Sequence, residues 1–232
     1  MMILITGDIH GSHDISKLGD DNKVLFRNLT KSDYLIICGD FGLVWDNSEE
    51  DRRWREWLNQ RNYTTLFVDG NHENFDLLNN NPVQQWHGGK VHRISDSIIH
   101  LMRGQVFEID GKSFFTMGGA ESHDKADRIL GKSYWSNELP SESEYTEALR
   151  NLQNHGYKVD YIITHCATTA LQKEIRNQKD GTAYKSNTLL KFFDELDMMM
   201  NYQKWFCGHY HIDLTSKSNS RIRVLFEDIV EV

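Results

Sequence analysis

The chain has little of what marks secreted, membrane-bound or nucleic-acid-coating proteins. Only two prolines, Pro82 and Pro140, punctuate its 232 residues, and no Gly/Ser-rich stretch or single-sign charge run divides it, so one continuous domain over 1–232 is expected. Three cysteines, Cys38, Cys166 and Cys207, form an odd set with no C-x-x-C pair, which argues against a disulfide framework and for a reducing compartment. The apolar run Met1 to Ile5 ends at Thr6-Gly7-Asp8, far short of a bilayer span or a signal-peptide core. A cytoplasmic protein without membrane contact is therefore expected. No Lys/Arg tract offsets the net charge of −8, which disfavours duplex nucleic acid as a partner.

What the chain does carry is histidine. Eleven are more than a chain of this length usually holds, and imidazole is both the commonest metal ligand and the physiological acid/base. Apolar residues at 39% and charged residues at 26% give the balance of an ordinary folded protein, large enough to hold a site rigidly.

Short apolar runs bounded by turn residues read as buried strands over Met2 to Thr6, Tyr34 to Cys38, Thr65 to Val68, Tyr161 to Thr164 and Lys204 to Cys207. Helical patterns run from Asp21 to Leu29, Ser48 to Arg61, Ser141 to His155 and Asn187 to Met199. The third has Ser141 and Glu144 spaced as a capping box, with Gly156 where a left-handed stop is wanted. Strands alternating with helices predict an α/β sheet with parallel pairs. The candidates Ile98 to Leu101, Gln105 to Ile109 and Lys112 to Met117 follow one another directly, the last two joined by Asp110-Gly111, a type I′ hairpin signal. They predict a second, mixed sheet against the first. Gly118 to Leu139 lacks a clean period and reads as a long functional loop.

Every parallel-type strand ends in ligand-type residues. Asp8-Ile9-His10 follows the first, Gly39-Asp40 the second and Gly70-Asn71-His72-Glu73 the third; Thr164-His165 and Gly208-His209-Tyr210-His211 follow the later two. Ligand sites in open α/β sheets gather beyond the carboxyl ends of strands, so five such clusters predict one site. Gly-Asp alone carries little weight; Gly19-Asp20 is a third copy and is read as a helix start or turn. Mixed nitrogen and oxygen ligation suits Mn, Fe, Zn or Co rather than Ca, and a set without thiolates is not a structural zinc site.

These blocks, D-x-H, G-D, G-N-H-[DE], a lone His and G-H-x-H, stand in the order characteristic of the calcineurin-like metallophosphoesterase superfamily, which the chain resembles from Asp8 to His211. The resemblance implies a four-layer α-β-β-α sandwich of two mixed sheets. It also implies two divalent or trivalent cations, Mn, Fe or Zn. One would be held by Asp8, His10, Asp40 and His211; the other by Asp40, Asn71, His165 and His209. Asp40 would bridge. A hydroxide between the cations would cleave a phosphomonoester or phosphodiester, with His72 stabilising the transition state or protonating the leaving oxygen. Size and acidity point to a small phosphorylated molecule or nucleotide as substrate; a non-catalytic scaffold and a single-strand nuclease are the alternatives.

One departure is informative. Ser/Thr protein phosphatases of this superfamily carry G-D-x-x-D-R-G, and the second Asp and the Arg fall here on Leu43 and Val44, which weakens that reading. Asp46, out of register, is a candidate to assist His72. His123 and Arg128, in the long loop, are candidate substrate contacts, since an imidazole and a guanidinium fork suit phosphate. Trp45 is a candidate to stack on a base, whereas Trp54 and Trp57, at i, i+3, read as packing. The three cysteines also read as packing, Met198 to Met200 as a helix end in the core, and His13, His87, His92, His100 and His155 as surface or structural residues.

Overall fold

Alternation along short strands determines the layers. In β1 (Ile3–Thr6), Ile3 and Ile5 face one apolar cluster and Leu4 another. The same division holds in β2 (Tyr34–Ile37), where Ile36 goes one way and Leu35 and Ile37 the other. The computed structural model describes residues 1–19, 22–178 and 186–232; Asp20, the start of the helix expected at Asp21, and residues 179–185 lie outside them.

Two mixed sheets result. The first has the order β13-β1-β2-β3-β6-β5-β4, with β3 (Thr64–Phe67), β4 (Val83–Trp86), β5 (Gly89–Ser95), β6 (Ile98–Leu101) and β13 (Ile229–Glu231). Its strands β1, β2, β3 and β6 are parallel, and antiparallel strands flank them on both sides. The second has the order β11-β12-β10-β9-β8-β7, with β7 (Gln105–Ile109), β8 (Lys112–Met117), β9 (Tyr161–Thr164), β10 (Lys204–Cys207), β11 (Leu214–Thr215) and β12 (Ile222–Val224). Strands β8, β9, β10 and β12 are parallel. Between the sheets lie Ile5, Ile36, Val68, Phe107, Ile163 and Phe206.

The outer faces are covered by helices. Leu4, Leu35 and Phe67 pack with Phe26 of α1 (Lys23–Phe26), Leu58 of α2 (Glu49–Asn59) and Leu78 of α3 (Phe75–Asn79). On the other side Phe115, Ile162 and Trp205 pack with Leu152 of α4 (Glu142–Asn154), Leu171 of α5 (Thr169–Gln178) and Phe193 of α6 (Thr188–Met199). These are the layers of the α-β-β-α sandwich. Among the described residues, no helix is long and apolar enough to cross a membrane.

Local chemistry explains the ends. The capping box at α4 forms in full, with the Ser141 side chain accepting from Glu144 N–H and the Glu144 side chain accepting from Ser141 N–H. Asp110 and Gly111 both have positive φ, 53° and 72°, as a two-residue primed hairpin between β7 and β8 demands. Three expectations are corrected. The first helix is described over Lys23–Phe26 only, with a turn carrying the chain through Leu29. The run of strands from Ile98 splits: β6 joins the first sheet beside β3, and only β7 and β8 enter the second. Met198 is 82% exposed and Met199 45%, because both lie on the solvent side of the last turn of α6; only Met200 is buried.

A buried ion pair joins the carboxyl ends of β3 and β6, neighbours in the first sheet. Asp69 accepts from Arg103 Nε at 2.8 Å and Nη2 at 2.6 Å, and His100 Nε2 lies 3.1 Å away. Burial opposes ionisation of Asp69, but Arg103 and His100 hold it well below the usual carboxylate range. Arg103→Met would strand a buried anion at a cost of about 3–5 kcal/mol. Denaturant unfolding should show that loss, and a loss below about 1 kcal/mol would mean the pair is not structurally required.

Candidate metal centre

All five clusters meet beyond the carboxyl ends of β1, β2, β3, β9 and β10, the first three from one sheet and the last two from the other. Asp8, Asp40, Asn71 and His165 are buried, His10 and His209 partly so, and His211 is exposed, so the group opens to solvent on the His10/His211 side.

Two sets of donor atoms converge. On one side His10 Nε2 lies 3.3 Å from Asp40 Oδ2 and 3.8 Å from Asp8 Oδ2, which is itself 3.3 Å from His211 Nε2. On the other, His165 Nε2 lies 3.3 Å from Asp40 Oδ1, 3.2 Å from Asn71 Oδ1 and 3.2 Å from His209 Nδ1. Asp40 stands between, one oxygen toward each set.

His165 Nδ1–H donates to Cys38 O at 2.8 Å, and His10 Nδ1–H donates to Asp14 Oδ2 at 2.7 Å, so in each neutral ring Nε2 is bare and turned toward Asp40. In that tautomer, lone pairs of imidazole, carboxylate and amide oxygen converge in each set, a donor arrangement of the kind that binds cations. A cation in each set would satisfy them, and the donor chemistry fits transition metals or Zn.

The electrostatics agree. Burial works against charge on His165, but Asp40 and Asp8 raise it to about 10; burial likewise opposes His10, which Asp40, Asp8 and Asp14 raise to about 9. Asp40 is held well below the ordinary range, against burial, by His165 and His10. His209, by contrast, is kept neutral by burial and by the neighbouring His165.

Holding these groups together strains the backbone. His10, Asp40, His209 and His211 all have left-handed φ, 41°, 47°, 71° and 50°, a conformation costing on the order of 1 kcal/mol or more at each non-glycine residue. The motif glycines have a packing reason. A Cβ at Gly70 would overlap the Asp40 carboxylate, and one at Gly208 would overlap that of Asp8. Further contacts fix the two acids: His72 N–H donates to Asp40 Oδ1 at 2.7 Å, and His209 N–H donates to Asp8 Oδ1 at 2.9 Å and Oδ2 at 3.1 Å.

The remaining candidates fall around this group. His72 stands beside it, its ring 5.5 Å from that of His10. Arg128 Nη2 donates to His72 Nε2 at 3.3 Å, while Arg128 Nε pairs with Asp124 at 2.7 Å. The His123 ring lies 5.7 Å from that of His209. Asp46 Oδ1 accepts from Ser48 N–H at 2.8 Å, on the approach to α2, and the residue lines the same cavity as His72. Trp45 packs edge-on against Trp135, 5.4 Å away, and lines the cavity in front of His10, His72 and His211. Trp54 and Trp57 pack on each other, and the three cysteines are buried thiols.

Further residues serve the site; of these, Glu73 closes the Gly70-Asn71-His72-Glu73 block, whereas Lys17 stands in none of the blocks. Lys17, buried, donates to the carbonyls of Gly7, Asp8 and Phe226. Glu73 accepts from Phe41 N–H at 2.7 Å and Gly42 N–H at 3.3 Å, fixing the turn after Asp40. Asp14, four residues after His10 and outside every block, accepts from its ring.

A model of the calcineurin-like phosphoesterase family matches residues 1–213, a span that holds all seven converging donors. No curated protein matches the chain.

At neutral pH the metal-free rings of His10 and His165 hold protons that a cation must displace. Calorimetry in buffers of different ionisation enthalpy should register proton release, and affinity should rise between about pH 6 and 9; a flat profile would contradict the arrangement. Because both folded values lie above 6.5, these protons stabilise the metal-free fold fully below that pH, and the contribution is lost as pH rises through about 9 to 10. The thermal midpoint of chelator-treated protein should fall across that window.

Proposed function

The chain belongs to the calcineurin-like phosphoesterase family, and on that premise we propose that it hydrolyses a phosphomonoester or phosphodiester of a small molecule or nucleotide, using two bound cations. The family's chemistry is metal-dependent hydrolysis of phosphate esters. The observation that carries the finer reading is the pair of lone-pair clusters sharing Asp40, one on each of its oxygens.

In this reading Asp8, His10, Asp40 and His211 hold one cation, and Asp40, Asn71, His165 and His209 the other. Mn, Fe or Zn suits such donors. When bound, the two cations supply the Lewis acidity that makes water nucleophilic at neutral pH and neutralises charge gathering on the phosphoryl oxygens. The chain's own residues do the rest. Asp40 and Asp8 are locked by backbone N–H groups, so the ligand geometry costs no reorganisation when substrate arrives.

His72 is kept neutral by burial, with Arg128 adding to the effect against the pull of Asp40. It therefore acts through a ring N–H directed at the leaving oxygen. Arg128 and His72 face each other across 3.3 Å, and an anionic phosphoryl oxygen entering there takes the guanidinium N–H and frees the imidazole. The Asp124 pair pre-orients that guanidinium. His123 contributes a second polar edge from the same loop.

Substrate size follows from the cavity. About 540 Å³ opens in front of His10, His72 and His211, within the range of small-molecule sites. Asp14, Asp46 and Glu50 line it and would repel a polyanionic backbone, which favours a compact leaving group over a nucleic-acid strand.

Purified protein with Mn²⁺ should hydrolyse p-nitrophenyl phosphate or its bis ester; absence of turnover with every divalent metal would leave the scaffold reading standing. Asp40→Asn should weaken both cations and remove nearly all activity. His72→Ala should retain metal, measured by elemental analysis, while the rate falls about 100-fold or more. Metal loss in that variant would refute its role. Arg128→Ala should raise KM with metal content unchanged, and an unaltered KM and kcat would remove Arg128 from the substrate site.

A further inference from the structure

Asparagine is a two-faced ligand. Its amide presents an oxygen that accepts and a nitrogen that donates, and only the oxygen can bind a cation. Half a turn about the last side-chain bond would put Asn71 Nδ2 where the second cation is read and destroy that site.

The structure contains a device that settles the choice. Asn71 Nδ2 donates to Ser122 Oγ at 3.2 Å; Ser122 Oγ donates to Glu138 Oε1 at 2.9 Å, and Ser122 N–H donates to Glu138 Oε2 at 3.0 Å. All three residues are buried, Asn71 4%, Ser122 5% and Glu138 1% exposed, so water does not compete for these bonds. Lys125 Nζ lies 3.3 Å from Glu138 Oε2 and complements its charge. A carboxylate only accepts, so the single hydroxyl proton of Ser122 is committed to Glu138 and its lone pairs alone face Asn71. Only an NH₂ group can answer a lone pair. The amide oxygen is thereby left on the opposite side, 3.2 Å from His165 Nε2.

We propose that Ser122 and Glu138 are positioning residues that set the polarity of the Asn71 amide and so complete the second cation site. The relay is anchored in the core. Arg103 Nη2 donates to Asn137 O at 2.7 Å while paired with Asp69, and Gly119 N–H donates to Asp69 O at 2.8 Å, which fixes the loop at both ends. This gives the stretch from Gly118 to Leu139 a second task beside presenting His123 and Arg128. The relay touches only the Asn71 member of the second set; His165 and Asp40 are held by other contacts.

The inference rests on the two-cation reading, and the experiment separates their failures. Metal-free protein is titrated with Mn²⁺ by calorimetry, and the thermal midpoint of each metal-free variant is recorded to show that it is folded. The native chain should take up two cations. Ser122→Ala and Glu138→Gln should each weaken one of the two by about 10- to 100-fold, the usual effect of removing an outer partner of a ligand. The cation held by Asp8, His10 and His211 should change by no more than about twofold. In an Asn71→Asp background both oxygens are equivalent and orientation no longer matters, so adding Ser122→Ala there should cost less than about twofold. Should Glu138→Gln fail to fold, Ser122→Ala, which deletes one hydroxyl, carries the test. Uptake of fewer than two cations by the native chain overturns the two-cation reading and the relay with it. Two cations bound as tightly by the Ser122→Ala variant as by the native chain overturn the relay alone. An equal loss in the native and Asn71→Asp backgrounds also overturns it, because Ser122 would then be acting by something other than amide orientation.

Discussion

The Asp40 carboxylate is the constraint on which the rest of the molecule is built. It is buried, accepts the His72 N–H on one oxygen, lies 3.3 Å from an imidazole on each, and leaves no room for a Cβ at residue 70, which is glycine. An anion so placed is costly unless cations or protons surround it. The raised affinity of His10 and His165 for protons is the metal-free answer to that cost, and cation binding is the other. The left-handed backbone of Asp40 and of three further donors shows that the fold accepts local strain to keep the oxygens where they are.

Such a centre depends on both sheets at once. Asp8, Asp40 and Asn71 leave the ends of β1, β2 and β3, whereas His165 and His209 leave β9 and β10, so their separation is set by the apolar layer of Ile5, Ile36, Val68, Ile163 and Phe206. Close packing in that layer leaves little room for the sheets to shift relative to each other. Cross-ties reinforce it near the site: Lys17 joins the Gly7 and Asp8 carbonyls to Phe226, and His165 reaches across to the Cys38 carbonyl at 2.8 Å. Geometry at the donors is thus a consequence of core packing some distance away.

Much of this was readable from residue order. The central strands announce themselves because they are buried on both faces and so appear as short unbroken apolar runs, and the ligand clusters are local in sequence at each strand end. The elements that escaped reading are of another kind. β4, with the sequence VQQW, is a largely exposed edge strand, and β11, β12 and β13 have two or three residues each, too short for any period to register. α5 does carry Leu171 and Ile175 at i, i+4, a pattern present in the sequence but weak amid its polar neighbours. Ser122, Glu138, Asp69 and Arg103 gained their significance only through contacts between residues distant in the chain.

Leu43 and Val44, 1% and 4% exposed, belong to the same apolar cluster as Phe41, Leu58 and Phe67. An Arg at residue 44, as the protein-phosphatase pattern has it, would bring a charge into this cluster at a cost of several kcal/mol unless it were paired, whereas residue 43 also lines the cavity beside His72 and Asp46. The layer packed over β2 is thus built for hydrocarbon at residue 44, and a charge there would need either a partner or a shift of its neighbours.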